Sequence, residues 1–104
     1  MTFGPLIVAA PPSAAFELLP ISPNPVRAAV RIEYALPREM RVRLSVLDVQ
    51  GRCVAVLAEG VRKAGRYVTT WDGRSGRDRA GAGVFFVRYE AAGLNWVRSL
   101  ALAR

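Results

Sequence analysis

The chain reads as an all-β domain built from antiparallel strands packed as a sandwich. Apolar and polar residues alternate with a period of two in one stretch after another, and Pro or Gly clusters separate those stretches. No stretch carries a convincing amphipathic-helix pattern. At 104 residues and 52% hydrophobic composition this is one domain, able to bury about 65% of its unfolded surface without staples.

Residues 1–15 hold Pro5, Pro11, Pro12 and four alanines, with no charge and no period, and read as a flexible linker. A secretory signal fits poorly, since the apolar stretch 6–10 is short and no Lys or Arg precedes it. The folded part, 16–104, opens with a short strand at 16–19. Pro20, Pro23 and Pro25 then impose a bend, because proline fixes φ and lacks an N–H.

The strand at 29–36 alternates Val30, Ile32, Tyr34 and Leu36 against Arg31, Glu33 and Ala35, and Pro37 stops it. In the strand at 40–49, Val42, Leu44 and Val46 share a dry face while Arg41, Arg43 and Ser45 share a wet one. It runs into Asp48-Val49-Gln50-Gly51-Arg52. Gly51 supplies positive φ and the Asp48 carboxylate can bond the backbone two residues on, so a hairpin returns along 52–58.

A strand at 65–71 places Tyr67, Thr69 and Trp71 on one face and breaks at Asp72-Gly73. The strand at 84–90 begins Val84-Phe85-Phe86-Val87, continuous enough to be covered on both sides or central in its sheet. The last strand, 94–103, has Leu94, Trp96, Leu100 and Leu102 in phase. Seven strands with turns at this spacing predict a seven-stranded antiparallel immunoglobulin-like β-sandwich, although the Cys…Trp…Cys pattern of true immunoglobulins is absent.

The residue types point away from catalysis. No histidine is present, which removes the commonest general base, the Ser-His-Asp arrangement and most zinc sites. Asp72 and Asp78 share a loop with Arg74 and Arg77, so they read as turn formers rather than calcium ligands. Gly81-Ala82-Gly83 precedes a strand and lacks the Lys-Ser/Thr of a phosphate loop. Cys53, the single cysteine, reads as a small buried hydrophobe, and Trp71 and Trp96 as core or half-core. No cofactor or metal is expected.

Fourteen Arg and one Lys against eight acids give a formal charge of +7. The arginines are spread singly, mostly at alternate strand positions, without an aromatic platform, so nucleic acid is not the expected partner. The longest apolar runs fall short of the ~20 residues of a membrane helix.

An ordered series of short motifs runs through residues 16–104: Pro23-Asn24-Pro25, Tyr34-Ala35-Leu36-Pro37, Val46-Leu47-Asp48-Val49-Gln50-Gly51-Arg52, Ala64-Gly65-Arg66-Tyr67, Trp71-Asp72-Gly73-Arg74, Gly83-Val84-Phe85-Phe86 and Arg98-Ser99-Leu100-Ala101-Leu102-Ala103-Arg104. In that order they resemble the C-terminal sorting domains (type A) of type IX secretion substrates, and they are similar too to the immunoglobulin-like domain of flagellar hook-capping proteins. Leu47 stands where the family often has Tyr, and Arg98 where Lys is usual.

The resemblance implies a non-catalytic address at the end of a larger bacterial protein. Its partners would be the outer-membrane secretion machinery and a covalently linked N-terminal cargo, carried through the periplasm to the surface or the medium. By position, Pro23, Asn24 and Pro25 would shape the chain's approach to the sandwich, Gly51 and Arg52 the hairpin, and Gly65 and Tyr67 a strand start. Residues 98–104 would be the signal strand. Physically, such a strand can recruit another chain by edge-to-edge addition, and the recognised element is expected to be 94–104, with Leu100 and Leu102 anchoring it and Arg98 and Arg104 displayed. The alternative is an adhesive or assembly module, hook-cap-like or accessory to a surface enzyme. A sorting domain ends its protein, as Arg104 does this chain, and that favours the first reading.

Overall fold

The computed structural model describes residues 15–21, 25–27, 29–76 and 78–103. All regular structure among them is β, and no helix there is long and apolar enough to cross a membrane. Residues 1–14 of the expected linker, and Pro23, Asn24 and Arg104 of the motifs, lie outside the described residues.

Two antiparallel sheets enclose one core. The three-stranded sheet has the order β1 (Glu17–Leu18), β2 (Val30–Leu36), β5 (Gly65–Trp71). The four-stranded sheet has the order β4 (Cys53–Arg62), β3 (Met40–Leu47), β8 (Gly83–Ala91), β9 (Leu94–Leu102). A two-stranded ribbon, β6 (Arg74–Ser75) with β7 (Asp78–Arg79), fills the Gly-rich loop. Nine strands are thus described rather than the seven expected. The ribbon went unpredicted because two-residue strands leave no period to read.

Alternation dictates the core. Val30, Ile32, Tyr34 and Leu36 of β2 are buried together with Val42, Leu44 and Val46 of β3, Phe85, Val87 and Tyr89 of β8, and Leu100 and Leu102 of β9. Each fully buried Val, Leu or Ile contributes about 1.5–3 kcal/mol relative to exposure. An aromatic row crosses the core. Phe16 stacks on Tyr89 at 4.3 Å, Tyr89 meets Tyr34 at 5.0 Å, and Tyr34 stacks on Tyr67 at 5.4 Å. The Tyr89 hydroxyl donates to the Ala35 carbonyl of the opposite sheet at 2.9 Å. Burial, with Tyr34 and Tyr67 adding to it, pushes the Tyr89 phenol well above its ordinary pKa, so it remains a neutral donor.

The second hairpin strand runs to Arg62, beyond the expected 58, and it is bulged. Leu44 pairs Ala58 while Ser45 pairs Val56, and Val46 pairs Ala55 while Leu47 pairs Cys53, so Leu57 and Val54 are extra residues. Two expectations fail here. Cys53 is exposed, because the bulges shift the alternation and β4 has no neighbour beyond it. Ser45, placed on the wet face, is only 1% exposed. Ser45 lies on an inner strand of its sheet between Val56 of β4 and Arg88 of β8, whose larger side chains flank its small one on both sides. The strand β8 is central, between β3 and β9, yet covered on one face only: Val84 is 46% exposed.

A two-residue turn, Ala92-Gly93, joins β8 to β9 with φ of 48° and 80°, the pattern of a type I′ hairpin. Ala92 is the one non-glycine residue with positive φ among those described. Asn tolerates that region better than Ala, so Ala92→Asn raises stability by about 0.5–1 kcal/mol in a urea melt. An unchanged or lowered midpoint contradicts that reading of the turn.

Candidate edge-strand recognition site

The candidate site is β9, and its geometry follows from where the chain enters and leaves its flank. Toward β8, β9 is paired along its whole length, from Ala91↔Leu94 to Gly83↔Leu102. On its other side it is the last strand of the sheet. Only Val26 forms a bridge there among the described residues, a parallel one with Leu102. The Val26 N–H donates to the Ala101 carbonyl and the Ala103 N–H to the Val26 carbonyl, both at 2.7 Å. The exposed Pro25 immediately precedes this contact.

That pair of bonds sets which β9 groups face outward. Ala101 and Ala103 point their backbone groups away from β8, so by strand alternation Val97 and Asn95 do the same. No described strand pairs with β9 on that side along residues 94–98. The side chains there are apolar and accessible: Leu94 is 51% exposed, Trp96 36% and Val97 50%.

The inward-facing side chains of β9 divide into anchors and clasps. Leu100 and Leu102 are buried in the core, at 1% and 2% exposure. Arg98, expected to be displayed, is instead half-buried, with Nε donating to the Leu18 carbonyl at 3.0 Å. Its guanidinium sits 5.0 Å from the Trp96 ring, and Trp96 Nε1 donates to the Phe16 carbonyl at 2.7 Å. Arg98 and Trp96 thus hold β1 against β9. Trp96, expected as core or half-core, stands at the core's margin at 36% exposure, where the two-residue β1 covers little of it.

The other motif residues are architectural. The Asp48 carboxylate accepts from the Gln50 N–H, the Arg52 N–H and Arg52 Nε, each at 2.9 Å, while Gly51 takes φ of 84°. These bonds hold the Asp48 carboxyl below the usual aspartate pKa. The Arg52 backbone N–H is the largest cause, and partial desolvation opposes it without reversing the sign. A lowered folded-state pKa means the contribution is complete above the ordinary value of about 3.9 and is lost as pH falls through the folded value. The stability gap between the wild type and Asp48→Asn therefore narrows as pH falls below the ordinary aspartate value of about 3.9. A gap constant over that range in urea titrations contradicts the carboxylate's role.

Gly65 starts β5 with φ of 149°, and the Tyr67 hydroxyl closes the preceding turn on the Lys63 carbonyl at 2.7 Å. Trp71 is 1% exposed, donates from Nε1 to the Arg74 carbonyl at 3.0 Å and meets Phe85 edge-on at 5.2 Å. The Asp72 carboxylate accepts from the Arg74 N–H at 3.1 Å, and Gly73 turns with φ of 76°. Two sequence motifs, Trp-Asp-Gly-Arg and Gly-Val-Phe-Phe, therefore meet as one packing unit, Gly83 opening β8 ahead of Phe85.

Sequence reasoning missed Val26 and Phe16 as partners of β9. The only available signal was their apolar character on either side of a proline-rich bend. No group of acidic residues or cysteine able to hold a metal ion occurs among the described residues. No protein-family model matches the chain, and no curated protein matches it.

Proposed function

We propose that this chain is a non-catalytic sorting domain of immunoglobulin-like sandwich type, which directs a linked cargo across the outer membrane to the bacterial surface or medium. The observation that carries the reading is the outer edge of β9 along residues 94–98, which pairs with no described strand although β1 is held beside it, with backbone groups of Asn95 and Val97 turned outward next to accessible apolar side chains. Such an edge accepts a strand from a partner, main-chain bonds supplying affinity and flanking side chains selectivity. The motif series of residues 16–104 supports the same reading, as does a three-plus-four division of the larger sheets with the last strand outermost.

The recognised stretch is then the first half of β9 rather than its end. Ala101 and Ala103 already bond Val26, and Leu100 and Leu102 serve the core. The test fuses residues 1–104 behind a periplasm-directed reporter in a bacterium with a type IX system. Reporter outside the cell, dependent on the translocon, supports the sorting role; a stable fusion retained in the periplasm overturns it.

Retention would favour the second reading, a docking or assembly module. The observation on its side is the apolar run of β4, Val54 to Leu57, which lines an open cleft with Thr70, Trp71, Asp72 and Arg74 at the other margin of the sandwich.

A further inference from the structure

The four-stranded sheet packs on the core with one face, and its other face carries apolar side chains. Val42, Leu44 and Val46 of β3 point inward, so strand alternation turns Arg43, Ser45 and Leu47 outward, where register sets Glu90, Arg88 and Phe86 of β8 beside them. Val56 of β4 flanks Ser45 on one side, and Val97 of β9 flanks Arg88 on the other. Of the eight exposed large hydrophobic side chains among the described residues, Val56, Val61, Val84 and Val97 belong to this one face. A concentration of that kind marks an interaction surface.

The face is also close to neutral. Its strands turn Arg41, Arg43 and Arg88 outward against Glu59 and Glu90, three positive charges less two negative, so it holds +1 of the chain's +7. A second copy meets little of the chain's self-repulsion there. In its middle, Ser45 Oγ is buried with no hydrogen-bond partner among the described residues, where such groups are normally satisfied. Arg43 is exposed, with a 3.9 Å contact to Cys53 Sγ and no ion pair among the described residues.

The pattern is self-complementary. A two-fold axis running along the strands between β3 and β8 lays β3 of one copy over β8 of the other in the register they already share. Arg43 then faces Glu90 of the second copy, Ser45 faces its Arg88, Leu47 its Phe86 and Val56 its Val97, and symmetry makes each contact twice. Two sheet faces stacked about 10 Å apart form an ordinary packing layer.

We propose that this face is a homodimer interface, in which Arg43 and Glu90 form reciprocal ion pairs around an apolar patch. It covers a face rather than the edge of β9, goes beyond the export reading, and stands whether or not β9 directs export. Sedimentation velocity of the full chain over a concentration series reads the association, and the wild type is expected to pass from monomer to dimer. Arg43→Glu and Glu90→Arg each set like charges at both contacts and weaken dimerisation about ten-fold or more. Mixed in equal amounts, the two variants recover it, because opposite charges then meet only between unlike chains. The neighbours within each chain stay mismatched, so recovery separates contact between copies from damage within one. A wild type that stays monomeric at every concentration overturns the proposal. So do single variants that dimerise as the wild type does, or a mixture that associates no better than its parts.

Discussion

Deleting residues 100–104 unfolds the domain. Leu100 and Leu102 are 1% and 2% exposed in the core, and the backbone they belong to pairs with Gly83, Val84 and Phe85 on one side and Val26 on the other. Removing each buried leucine costs about 2–5 kcal/mol, so the pair costs roughly 4–10 kcal/mol against a total stability of about 5–15 kcal/mol for a domain of this size. The deleted chain is expected to lose its cooperative urea transition and its near-ultraviolet circular dichroism. A cooperative transition retained within about 1 kcal/mol of the wild type contradicts the placement of both residues. The deletion also abolishes export for a trivial reason, so it cannot locate the recognised element.

A single proline separates recognition from folding. Val97 directs its N–H outward from the sheet, whereas Trp96 directs its N–H into the ladder with Tyr89. Proline removes the N–H and fixes φ, which an edge position tolerates when that N–H faces solvent. Val97→Pro is therefore expected to lower stability by about 1 kcal/mol or less, and Trp96→Pro by about 3 kcal/mol or more. The second change also loses the bond to the Phe16 carbonyl and the ring beneath Arg98. Equal losses from the two substitutions, measured by urea denaturation, contradict the assignment of β9's outward groups.

The sequence carried the strands whose faces divide cleanly between core and water. In β2, Val30, Ile32, Tyr34 and Leu36 are buried while Arg31 is exposed and Glu33 only half-buried, and a period of two is enough to see that. The Asp48 turn was legible because a carboxylate two residues ahead of its backbone donor, followed by Gly51, leaves few other conformations. Cys53 was not, since a bulge inserts a residue without marking itself in the pattern, and two of them lie in β4. Arg98 was misplaced for another reason. Its partner, the Leu18 carbonyl, is 80 residues away in sequence, and a backbone acceptor leaves no compositional trace. Val26 escaped for the same reason: its bonds to Ala101 and Ala103 are main-chain bonds, which no side-chain pattern encodes. Within the candidate strand 94–104, the main-chain bonds of Val26 take up the outward groups of Ala101 and Ala103 and leave residues 94–98 unpaired with any described strand.

On the proposed function, the outward edge of β9 is read by a partner strand. The most direct test compares export of reporter fusions carrying the wild-type domain and Val97→Pro in one type IX strain, with protease resistance of the periplasmic pool confirming that both domains are folded. The Val97→Pro fusion is expected to fold and accumulate in the periplasm, with export reduced about ten-fold or more. Wild-type export from a folded Val97→Pro fusion would contradict it.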